Sequence, residues 1–79
     1  MNQVQRIIKR WEDIVPESQM LTMELKKAEY LYLKCTDEGL RVEIKKNIND
    51  IKGKIRQLES EYEYLSELVS MISNREVAI

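Results

Sequence analysis

With 79 residues, 43% hydrophobic and 34% charged, the chain is too apolar to stay disordered and too charged to cross a bilayer. Its net charge of −1 gives no bulk attraction to nucleic acid or to anionic membranes. A single core of this size supplies only about 3–5 kcal/mol, so the expected state is a homodimer or higher homo-oligomer.

The first segment, Met1 to Trp11, mixes Arg6, Lys9 and Arg10 with Val4, Ile7 and Ile8. It lacks the uninterrupted apolar run of a secretory signal. The lone cysteine, Cys35, forms no intrachain disulfide and fits a reducing compartment, with a free surface thiol as the functional alternative. The expected location is cytoplasmic, with no membrane attachment.

From Val4 onward apolar residues step by three and four: Val4, Ile7, Trp11, Ile14, Ser18, Leu21, Leu25, Ala28, Tyr32 and Cys35. Only Ser18 is clearly polar. This spacing predicts a helix with one buried seam. Pro16 lies inside the run, at the position farthest from the seam. There it either kinks one continuous helix or opens a second one in whose first turn proline is welcome.

Thr36-Asp37-Glu38-Gly39 follows. Thr36 or Asp37 can cap a second helix, or Gly39 can end the first in the left-handed conformation. Beyond it, Ile44, Ile48, Ile51, Ile55, Leu58, Tyr62, Leu65, Val69 and Ile72 keep the four–three rhythm without a miss.

A connection this short makes the helices antiparallel neighbours. Folding the chain there sets Ala28 against Ile48, Leu25 against Ile51, Ile14 against Tyr62 and Trp11 against Leu65. On the flanks Glu29 faces Lys45 and Glu24 faces Lys54, while Glu17 meets Glu61 unfavourably. The expected fold is all-α, a single domain over 1–79: an antiparallel, coiled-coil-like helical hairpin, kinked or broken near Pro16, assembling into a four-helix bundle. Arm 1 covers about 3–35, the tip 36–39, arm 2 about 40–74 and a short tail 75–79.

Apolar residues off the seam are the candidates for function. Near the open end Ile8, Val15, Tyr64, Leu68 and Met71 are expected to form a self-association patch. Near the tip Met20, Met23, Tyr30 and Leu33, with Leu31, Leu40 and Val42, suit an adaptable protein-binding surface. Tyr32, Tyr62 and Trp11 occupy seam positions and read as core, while Tyr30 and Tyr64 point outward.

Charge is segregated along arm 2. Residues 41–56 carry net +4 and residues 57–67 carry −4. The plain reading is a solvated face. A second is antiparallel pairing of two arm-2 helices, with Ile55 opposite Leu58 of a second copy, Lys52 facing Glu59 and Lys54 facing Glu61. A third is phosphate binding by Lys45, Lys46, Lys52, Lys54 and Arg56, although no nucleic-acid motif accompanies them.

Catalysis has little support. With no histidine, the commonest acid–base group is absent and Cys35 has no such base to activate it. Glu59, Glu63 and Glu67 step by four and could hold Mg²⁺, but the seam turns them outward into solvent. No cofactor or metal is expected. The function expected is a non-enzymatic interaction module: a small adaptor, scaffold or inhibitor of a larger protein. The alternative is a ligand- or nucleic-acid-binding oligomer that uses the basic segment.

Overall fold

The structure is a computed structural model that describes residues 2–77, with side-chain surroundings given for residues 2–73. Two helices account for nearly all of it: α1, Gln3–Lys34, and α2, Glu38–Val77. They form a rod 63 × 17 × 16 Å. At 1.5 Å per residue the 40 residues of α2 account for its length. None of the described helices is long and apolar enough to cross a membrane.

α1 starts with a capping box. The Asn2 side chain accepts from the Gln5 amide at 2.8 Å, and the Gln5 side chain accepts from the Asn2 amide at 3.2 Å. Two free amides of the first turn are thus satisfied. The helix then runs without a break through Pro16 to Lys34. Of the two expectations at Pro16, the division into two helices does not occur.

Cys35, Thr36 and Asp37 make the turn. Cys35 caps α1 in an extended conformation, and its amide donates to the Leu31 carbonyl at 2.9 Å. Asp37 caps α2: its side chain accepts from the Leu40 amide at 3.0 Å. Glu38 then lies in the first turn, where the helix dipole favours a negative charge. Gly39 sits inside α2 with φ below zero. It therefore does not end α1 in the left-handed conformation, because Cys35 and Asp37 satisfy the helix ends from either side. α2 also extends through residues 75–77 of the expected tail; residues 78 and 79 lie outside the described residues.

The core is a thin strip between the arms, in two clusters. One joins Ile14, Leu58 and Leu65, with Ile7, Trp11, Leu21, Tyr62 and Leu68 packed around them. The other, nearer the tip, joins Ala28, Ile48 and Ile51, with Leu21, Leu25, Tyr32, Ile44 and Ile55. The seam read from the spacing is the surface that is buried. It loosens at the open end, where Val4 is exposed.

Two polar devices fix the arms near that end. Trp11 stacks on Tyr62, with ring centroids 6.0 Å apart and planes inclined at 17°, and its Nε1 donates to Ser66 Oγ at 2.9 Å. Arg10 grips Glu61 with two bonds, Nε to Oε1 at 2.7 Å and Nη2 to Oε2 at 3.0 Å. Its Nη1 reaches Glu17 at 3.0 Å. The unfavourable meeting of Glu17 and Glu61 is thus relieved by a cation between them. The guanidinium holds the Glu61 carboxyl below its usual range, and the carboxylates push Arg10 further up. Among the described residues neither Glu29 with Lys45 nor Glu24 with Lys54 forms an ion pair.

Candidate interaction surface

Two helices side by side present two broad faces, one on each side of the seam. On one face a groove of about 500 Å³ is lined by Arg10, Glu17, Met20, Glu24, Lys54 and Glu61 over Leu21 and Leu58. Further toward the open end the same face carries a groove of about 250 Å³ between Gln3, Val4 and Ile7 of α1 and Leu68, Met71 and Ile72 of α2. Residues spaced by seven share a side of a seam helix. Gln3, Arg10, Glu17 and Glu24, and Lys54, Glu61 and Leu68, therefore belong together. This is the Arg10 face.

The opposite face carries Lys45, Lys52, Glu59 and Ser66, again seven apart. Its grooves lie beside Tyr32, Arg41, Val42 and Lys45 near the tip and over Ile14, Ser18, Leu58 and Tyr62, rimmed by Glu59 and Glu63, at mid-length. This is the Lys52 face.

The five residues expected to form one open-end patch divide between these faces. Leu68 and Met71 line the Arg10-face groove, and Tyr64 follows the same stripe, four residues before Leu68. Leu68 is half-buried against the core. Ile8 and Val15 stand on the other flank of the α1 seam, on the Lys52 face. The sequence identified surplus apolar residues, but the seam itself separates them.

Near the tip, Met20, Met23, Tyr30 and Leu33 are all exposed, Leu33 at 79%. Met20, Met23, Tyr30 and Leu31 follow one helical stripe on the outer side of α1. Lys26, Lys27, Tyr30 and Leu31 frame a shallow depression there. The Lys34 ammonium lies 5.7 Å from the centre of the Tyr30 ring.

The five candidate phosphate ligands are all exposed, but they do not converge. Lys45 and Lys46 flank the tip groove. Lys54 lies on the opposite face among Glu17, Glu24 and Glu61. Lys45 is also drawn to Tyr32, with Nζ 5.6 Å from the ring centre, beside Arg41 Cζ at 4.5 Å. This pairing of cations with an aromatic ring across the arms was not read from the sequence, because their separation in the chain hides it. Cys35 is half-buried, and its Sγ lies 3.5 Å from the Asp37 carbonyl oxygen. Among the described residues no group of three His, Cys, Asp or Glu stands where it could hold a metal ion. Comparison with protein families, with curated proteins and with solved structures finds no match to this chain.

Proposed function

We propose that the hairpin is a non-enzymatic protein–protein interaction module, an adaptor, scaffold or inhibitor of a larger protein, that acts as a coiled-coil-like oligomer in a four-helix bundle. One observation carries this reading. Among the described residues six hydrophobic residues are buried, while eleven large ones stay exposed. Exposed apolar residues are ordinary when scattered, but a contiguous stripe marks an interface. The side of α1 that carries Met20, Met23, Tyr30 and Leu31 comes nearest to such a stripe, with Lys27 between the methionines and the ring. Its flexible thioethers and its amphipathic ring suit a partner helix laid along α1. The basic-segment alternative draws less support, since its cations are divided between two faces.

The test is capture from an extract of the source cells by the immobilised chain, beside the variant Met23→Glu with Tyr30→Glu. The wild type is expected to retain one stoichiometric protein through a high-salt wash, and the variant to lose it. Equal retention by both, or salt-dependent retention of nucleic acid in its place, would defeat the reading.

A further inference from the structure

We infer that two copies of the hairpin join through their Lys52 faces with the α2 helices antiparallel, and that a self-complementary stripe of charge on α2 sets the register. The inference rests on the oligomeric interaction module proposed above and names the surface the copies share.

The stripe is Lys52, Arg56, Glu59 and Glu63, stepping by four, three and four along one side of α2. All four side chains are exposed, and among the described residues none forms an ion pair. Within a single helix Arg56 and Glu59, three residues apart, attract, but the two outer steps do not. Lys52 and Arg56 are like charges one turn apart, and so are Glu59 and Glu63. The neighbouring arm supplies neither pair with a partner, whereas on the Arg10 face the crowded carboxylates have Arg10 between them.

An antiparallel second copy relieves both clashes at once. With a twofold axis passing between residues 57 and 58, Arg56 meets Glu59 of the second copy and Lys52 meets its Glu63. A twofold contact uses the same patch twice, so each pair occurs twice. Continuing outward, Asn49 meets Ser66 and Lys45 meets Ser70, with no like charges opposed. The alignment is also favoured over its neighbours. Sliding by seven residues one way keeps Lys45 opposite Glu63 of the second copy but sets Lys52 against its Arg56; sliding the other way sets Glu59 against Glu63 and leaves Lys52 and Arg56 facing serines. On α1 the axis passes beside Ser18, which lines the same groove as Leu58 and Glu59. That position brings Glu12 near Lys26 of the second copy and Val15 near Thr22. A foreign partner would need this charge order by coincidence; a second copy carries it by identity.

The seam contact between Ile55 and Leu58 of two copies, weighed from the sequence, is replaced by this one. Leu58 is buried and Ile55 packs in the core of the hairpin itself.

Light scattering and sedimentation at low salt test the inference, with circular dichroism to confirm that each variant keeps its helices. The wild type is expected to be a dimer that weakens as salt rises. Lys52→Glu with Arg56→Glu makes the stripe wholly acidic, and Glu59→Lys with Glu63→Lys makes it wholly basic. Each variant alone should dimerise at least roughly tenfold more weakly, and an equimolar mixture should recover a heterodimer. A folded variant that dimerises as tightly as the wild type, or a mixture that stays monomeric, overturns the inference. So does a wild-type dimer dispersed only by Leu68→Glu with Met71→Glu, which would assign the contact to the Arg10 face and leave the interaction module standing. A monomeric wild type also overturns it, and the capture experiment then decides the broader reading separately.

Discussion

Ile14 is the test of the packing. It is 2% exposed and packs with Leu58 and Leu65, themselves at 7%. Replacing a buried isoleucine by alanine costs about 2–5 kcal/mol, depending on how far the site can collapse. Here the strip is thin and a groove opens beside Ile14, so the surroundings can relax and the low end applies. Alanine returns a few tenths of a kcal/mol in helix propensity. The expected net loss for Ile14→Ala is about 2–3 kcal/mol. At roughly 4–8 °C per kcal/mol for a chain of this size, Tm should fall by about 10–20 °C. Met23→Ala, on the exposed side of the same helix, should stay within about 0.5 kcal/mol of wild type. Urea titrations followed by far-UV circular dichroism, at one fixed protein concentration, measure both. Equal losses for the two variants, or an Ile14→Ala protein as stable as wild type, would refute the seam.

Three further predictions concern single positions. Pro16 interrupts the hydrogen-bond ladder of an otherwise continuous α1, so Pro16→Ala should raise stability by up to about 3 kcal/mol; a lower melting temperature would mean that the proline is needed where it stands. Gly53 lies within α2 with open space where a Cβ would sit and no positive φ, so Gly53→Ala should add about 0.5–1 kcal/mol in thermal melts. Glu61 has its folded pKa lowered by Arg10. Its contribution is complete above the ordinary glutamate value near about 4.3 and disappears as pH falls through the lower folded value. Because the pair is partly solvated, with the two side chains 42% and 38% exposed, the effect is under about 1 kcal/mol. Acid titration of stability should show a shallower decline for Glu61→Gln than for wild type.

The seam was legible because its signal is a periodicity repeated along both arms, and no local exception can outweigh it. The tip was half legible. Thr36, Asp37 and Gly39 are all turn residues, and only the bond from the Leu40 amide to Asp37 Oδ1 decides which one acts. The flanks were less legible for a reason of reach. Pairing by position sets Glu17 against Glu61, yet Arg10 lies two turns from Glu17 and its long side chain spans the gap. The open-end patch was legible as surplus apolar residues but not by side. Apolar residues flanking a seam look alike in a list of positions, but Ile8 and Val15 occupy one flank and Tyr64, Leu68 and Met71 the other.

The hairpin's connectivity also orders its assembly in time. Contacts near the turn close short loops: Ala28 and Ile48 of the inner cluster are about 20 residues apart in the chain. Those at the far end close long ones, with Arg10 and Glu61 separated by 51 residues and Trp11 and Ser66 by 55. Loop closure grows costlier as (3/2)RT ln n, about 0.9 kcal/mol between these lengths. Every outer contact is also brought within reach by the inner ones already made. The chain therefore zips from Cys35–Asp37 outward and frays from the opposite end. Amide exchange should slow steadily from the open end toward Ala28 and Ile48, so that the end of the rod away from the turn is the first to open under any load.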